Sequence, residues 1–214
     1  MKQRILIKNS TAVSLKTLTF YGDSIFDNRP YVCSDEETVA GWAKRVIECP
    51  TRIEAIDGHV THQLLAILSE LPELVDPAAG AVISIGGNDA LQAQWILNMP
   101  AKTVGLAFQE MQPVLDTFRR NYIKLLEAAL KRFEVGNLRV CTVYNGIPDL
   151  PTIARTALGL FNDIISEEAG LRGIGVIDLR VVCADPECYS DISSIEPSNH
   201  GAEQIVHAVQ RAFS

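Results

Sequence analysis

Three short polar clusters stand at the ends of apolar runs, and their residue types suit acyl chemistry. Gly22, Asp23 and Ser24 follow "LTFYG"; Asp57, Gly58 and His59 close "RIEAIDG"; Gly86, Gly87, Asn88 and Asp89 follow "AVISIG". A serine hydroxyl at a strand tip is a nucleophile for a carbonyl carbon. The carbonyl oxygen then gains negative charge and needs preorganised donors. The backbone N–H groups of Ser24 and Gly58 supply two such donors and the Asn88 side-chain amide a third. Taken singly, each cluster also has an ordinary reading, since Asp and Asn cap helices and Gly punctuates turns. Their occurrence at three successive exits is the signal.

The elements that must position these residues follow from periodicity. Apolar runs at 18–22, 52–58, 81–87, 138–145 and 175–180 read as buried strands. Between them lie helical segments at 36–48, 61–71, 90–97, 108–133 and 153–169, with a last helix over 201–213. Strands that alternate with helices pair in parallel through right-handed crossovers, which predicts a three-layer α/β/α sandwich on a five-stranded sheet. No repeat, low-complexity tract or linker divides the chain, so 1–214 reads as a single domain. In such sheets ligands sit beyond the carboxyl ends of the strands, where the polar clusters fall.

On these residues the chain resembles the SGNH or GDSL-type hydrolases. "YGDSIFDN" is similar to the block that carries their nucleophile serine, "AIDGHVTHQLL" to the block of the oxyanion glycine, and "SIGGNDAL" to that of the oxyanion asparagine. The resemblance implies a flavodoxin-like sheet and a serine hydrolase that cleaves a carboxylic ester through an acyl-serine intermediate. It covers esterases, lipases, thioesterases and acetylesterases without choosing among them. In its terms Ser24 is the nucleophile, Gly58 and Asn88 are oxyanion donors, and no metal or other cofactor is needed. Asp23, His59 and Asp89 frame the substrate. Asp23 holds the nucleophile loop through backbone N–H groups, His59 sits at the crevice mouth, and Asp89 caps the helix after the third strand.

The last block departs from the family pattern D-x-x-H-P-x-x-x-G. Aligning Pro197-Ser198 and Gly201 in "DISSIEPSNHGAEQIV" places Glu196 in the histidine slot and Ser193 in the aspartate slot. His200 follows four residues later, in the first turn of a helix capped by Ser198. Three mechanisms fit these residues. In one, His200 takes the serine proton, oriented by Glu196 or Asp191. In the second, Glu196 is the base, with its pKa raised by burial. In the third, the site binds acyl ligands with little turnover because no competent base is present. His62 and His207 read as structural.

Composition narrows the partners. A net charge of −7 and no cluster of Lys and Arg argue against nucleic acid and leave a small-molecule ester or acyl substrate. A dinuclear metallophosphatase is the rival enzyme, but four histidines and no Asp-x-His unit make a thin ligand set. A nucleotide module lacks both G-x-G-x-x-G and the phosphate-cradling lysine motif. No run approaches a membrane span, and the opening "MKQRILIKNSTAV" breaks too early for a secretory leader, so a cytoplasmic location with reduced cysteines is expected. A Cys183–Cys188 bridge is the lesser expectation. The segment after the third strand brings Trp95, Met99, Phe108 and Met111, either for an acyl pocket or for the core.

Overall fold

The structure, a computed structural model, describes residues 15–73 and 76–214; the opening segment read above for a leader lies outside the described residues. Five strands, β1 (Thr17–Gly22), β2 (Thr51–Ala55), β3 (Ala79–Ser84), β4 (Leu138–Cys141) and β5 (Gly175–Ile177), form one parallel sheet. Their order is β2-β1-β3-β4-β5. The predicted α/β fold with a five-stranded parallel sheet is the observed one. β1 and β3 are buried along nearly their whole length because helices cover both faces. β2 is an edge strand, and it alternates, turning Arg52 and Glu54 to solvent.

Seven helices flank the sheet among the described residues: α1 (Val39–Val46), α2 (Thr61–Glu70), α3 (Gly87–Gln92), α4 (Val104–Leu130), α5 (Thr152–Leu171), α6 (Leu179–Val182) and α7 (Asn199–Phe213). Side chains alternate across the strands and so divide the core in two. Tyr21, Ile83 and Val140 pack with α2, α4 and α5, whereas Leu18, Phe20, Val82 and Cys141 pack with α1 and α7.

Several boundaries differ from the pattern-based ones, each for a local reason. The helix expected over 36–48 is a 3-10 turn (Asp35–Glu37) followed by α1, because Thr38 is extended and its hydroxyl accepts from Gly41 N–H at 2.9 Å. The helix expected over 90–97 starts at Gly87 and gives way to a 3-10 turn at Gln94–Asn98. α4 begins at Val104, with Thr103 as its cap, and runs through Pro113. Ser198 caps α7 as expected, accepting from Gly201 N–H at 3.0 Å. β2, β3 and β4 end earlier than their apolar runs, and those extra residues form the exit loops.

Candidate active site

Register explains why the polar clusters meet. In the sheet, Gly22 stands opposite Ala55 of β2 and Ser84 of β3, so three neighbouring strands end level. β1 lies between the other two, at the point where the strand order reverses and a crevice opens. Gly22 itself allows this approach: a Cβ there would lie 2.0 Å from the Ser84 carbonyl oxygen.

From that end the chain turns into Asp23 and Ser24. Asp23 is buried and accepts from Ile25 N–H at 3.2 Å, while its carbonyl accepts from Phe26 and Asp27 N–H. These bonds tie down the turn that carries Ser24. Ser24, 6% exposed, lines a cavity of about 440 Å³ together with Asp23, Asn88 and Glu196. Asn88 lies in the first turn of α3, where Gly86 adopts φ 119° to start the helix. The Asn88 amide donates to the His59 carbonyl at 3.0 Å and so ties the β2 exit to the β3 exit. Gly58 is exposed at φ 81°, beside this bond but outside the cavity lining.

The fourth wall comes from the end of the chain. Glu196 is 6% exposed and lines the same cavity as Ser24, with its carboxylate close enough to the Ser24 hydroxyl for that hydroxyl to lower its pKa. Its Oε2 is buried without a protein partner. Three successive carbonyls fix this segment: that of Ile195 accepts from Tyr144 Oη at 2.7 Å, Glu196 from Ser190 N–H at 2.9 Å and Pro197 from Asn28 Nδ2 at 3.3 Å. Asn28 is fully buried, and its Oδ1 also accepts from Val39 N–H at 2.9 Å, which joins the serine loop, α1 and the Glu196 segment.

Burial governs the charges. It pushes the Glu196 carboxyl up to about 7; the Ser24 hydroxyl opposes this and nearby Asp57 adds to it. Burial likewise pushes Asp23 up to about 8, against the Ile25 N–H bond and with help from Glu196 and Asp89. Asp57 accepts from Tyr31 Oη at 2.7 Å and raises that phenol's pKa.

His200 stands apart from this group. It is half-buried in the first turn of α7, with Nδ1 3.7 Å from Glu203 Oε2, and it is not among the cavity-lining residues. His59 contributes its carbonyl to Asn88 rather than its ring, whose Nδ1 is buried and unpartnered. Asp89 corrects an expectation: it caps α2 rather than α3, accepting from both Thr61 N–H and Oγ1 at 2.9 Å. Its carboxylate is thereby spent on an interhelix tie. The His207 ring lies 6.5 Å from that of Trp42, and His62 is exposed on α2. Among the described residues no group of His, Cys, Asp or Glu side chains is arranged to hold a metal ion, and all five cysteines are free thiols.

The apolar part of the cavity also differs from expectation. Met111 lines it, but Trp95, Met99 and Phe108 do not and are 57%, 44% and 58% exposed. Their places are taken by Leu91, Ile96 and Leu97 and by residues of α5 outside the expected segment. Ala154, Ala157, Leu158 and Phe161 of α5 follow the spacing of one helix face, a signal already present in the sequence.

Residues 20–204 match the sequence profile of the GDSL-like lipase/acylhydrolase family. The chain is a member of that family. Solved structures of similar fold include a lipase from a goat rumen metagenome, at 24% identity and TM-score 0.68, covering 92% of this chain and 96% of that one. A lipolytic G-D-S-L family protein from Veillonella parvula follows at 14% and 0.67, covering 91% and 96%. An acetylxylan esterase from Geobacillus stearothermophilus follows at 18% and 0.65, covering 95% and 97%. At these identities the likeness establishes a shared fold. No curated protein sequence matches the chain. In this member of the family Ser24 and Glu196 line one cavity.

Proposed function

We propose that this family member is a carboxylic ester hydrolase in which Ser24 is the nucleophile and Glu196 the general base. The observation that carries the reading is the contact between the Ser24 hydroxyl and a buried carboxylate whose pKa stands near neutrality. An ordinary carboxylate is too weak a base for this work; one held near the working pH is well matched to proton transfer.

Glu196 takes the Ser24 proton as the oxygen bonds to the acyl carbon. The Asn88 side chain and the backbone N–H groups of Ser24 and Gly58 receive the developing oxyanion. The Asn88 amide has two N–H bonds, and the His59 carbonyl uses one of them. Glu196 then gives its proton to the departing alcohol, leaving an acyl-serine. In the second half a water loses its proton to Glu196 and attacks the acyl carbon. Collapse of that intermediate releases the carboxylic acid and returns the proton to Ser24.

A short-chain aryl ester assay tests the assignment. Ser24→Ala and Glu196→Gln should each lower kcat by about 10³-fold or more, while His200→Ala keeps most of the activity. Full activity in Glu196→Gln with loss in His200→Ala would transfer the base role to the histidine. Absence of turnover in the wild type would leave an acyl-binding protein instead.

A further inference from the structure

The cavity at Ser24 is far larger than the reacting bond requires. Its volume of about 440 Å³ falls in the range of whole-ligand pockets. Its polar lining comprises Asp23, Ser24, Asn88 and Glu196 around the serine, with Gln94 and Asn98 contributed by the 3-10 turn after α3. Much of the remaining wall is hydrocarbon, from Leu91 on α3, Met111 and Val114 on α4, and Ala157, Leu158 and Phe161 on α5. An acetyl group would present one methyl to these walls and leave the rest wet. The carboxylates of Asp57 and Asp27 stand near the catalytic group: Asp57 raises the Glu196 carboxyl, and its backbone N–H donates to Asp27 at 3.1 Å. They make that approach electronegative, which disfavours an anionic leaving group.

We infer that the cavity holds the hydrocarbon chain of a medium-length acyl group, so that the substrate is a fatty-acid ester of an uncharged alcohol. This rests on the proposed role of Ser24. It selects one substrate class for the site, setting acetylated sugars and acyl thioesters of anionic carriers aside. Each methylene that displaces water from the apolar wall improves kcat/KM about fourfold until the chain fills the space. Ala157 is the specificity position, because a large side chain there occupies the volume the chain needs.

The test uses a neutral p-nitrophenyl ester series from acetate to laurate, octanoyl-CoA, and calorimetric binding of decanoate to Ser24→Ala. The expected result is a rise of about fourfold in kcat/KM per methylene from acetate to a maximum at intermediate length. Ala157→Phe should move that maximum to shorter chains and weaken decanoate binding at least tenfold. Octanoyl-CoA should be cleaved more slowly than the neutral octanoate. If acetate is the best substrate and decanoate does not bind, the acyl site is wrong while the hydrolase reading stands. If no ester is cleaved but decanoate binds and Ala157→Phe weakens it, the acyl site stands and the hydrolase reading falls. A preference for octanoyl-CoA overturns the assignment of an uncharged leaving group. Should Ala157→Phe fail to fold, the wild-type series and the decanoate measurement decide the matter.

Discussion

The Ser24 hydroxyl meets the Glu196 carboxylate although the two residues enter the site from opposite ends of the chain. The serine arrives on the first strand of the sheet, and the glutamate on the loop that leads into the last helix. What holds them together is mostly backbone. The carbonyls of Ile195, Glu196 and Pro197 are each anchored by a different part of the fold, so the carboxylate has little freedom to leave the serine. On the proposed mechanism, a carboxylate base held in this way needs no orienting aspartate of the kind a histidine would.

The rate should follow the ionisation of this carboxyl. Glu196 must be deprotonated to accept the serine proton, and burial places its pKa near 7. We therefore expect kcat/KM for a neutral ester to be low at pH 5 and to rise with an apparent pKa of about 7 towards a plateau above pH 8. Glu196→Asp retracts the carboxylate from Ser24 and should lower kcat by about 10²-fold. A flat profile between pH 5 and 8 would remove Glu196 from the mechanism.

Stability should run the opposite way with pH. The carboxyls of Asp23 and Glu196 are raised in the fold to about 8 and about 7. In the unfolded chain they ionise near pH 4. Below that pH both states are protonated and the fold loses nothing. As pH rises from about 4 to 8 the unfolded state releases these protons first, so stability falls and then levels off. The melting temperature should be several degrees lower at pH 8.5 than at pH 5. Glu196→Gln should recover part of that loss at pH 8.5 and change little at pH 4. An unchanged difference in the variant would show that other groups set the slope.

The legible part of this protein was what local chemistry dictates. Glycines and polar residues at the ends of apolar runs mark the three exits, and the spacing of Pro197, Ser198 and Gly201 draws attention to Glu196, which lines the cavity with Ser24. The strand order and the level register of Gly22, Ala55 and Ser84 are long-range facts that no local pattern contains. Without them neither the contact between Ser24 and Glu196 nor the separation of His200 from the cavity could be read. Hydrophobicity alone does not mark the pocket-lining residues. Phe108 belongs to the early turns of α4, whose first half lies largely outside the core, while the small Ala157 of α5 faces the cavity. Asp89 was expected to serve its own helix, but the level strand ends bring Thr61 of α2 within its reach.

Asn28 gives a test of the tie between the two halves of the site. Its side chain is fully buried and serves Val39 N–H and the Pro197 carbonyl together. Asn28→Ala leaves both groups without a partner, at about 1–3 kcal/mol each. The melting temperature should fall by about 2–4 °C for each kcal/mol lost. Because the Pro197 carbonyl adjoins Glu196, kcat should drop more than KM rises. Asn28→Asp, which can still accept from Val39 N–H, should recover part of the stability but not the kcat. If both variants keep the wild-type kcat, the tie is structural only.

The level ending of the strands depends on Gly22, and Gly58, whose N–H is assigned to the oxyanion in the proposed mechanism, supplies a control for stability alone. A Cβ at residue 22 would overlap the Ser84 carbonyl oxygen at 2.0 Å, which neither strand can avoid without moving. At residue 58 the space is open, and only the backbone at φ 81° resists a side chain. Gly58→Ala should therefore cost about 1–2 kcal/mol, the strain of a left-handed alanine. Gly22→Ala should cost more than that and should push β1 from β3, carrying Ser24 away from Asn88. A displacement of about 1 Å there is enough to lower kcat on the order of 10²-fold. Thermal melts of both variants compare the stability costs, and kcat of Gly22→Ala, measured well below its transition, reads the displacement of Ser24. Equal melting temperatures would mean that β1 and β3 are not held as closely as the Gly22–Ser84 contact requires.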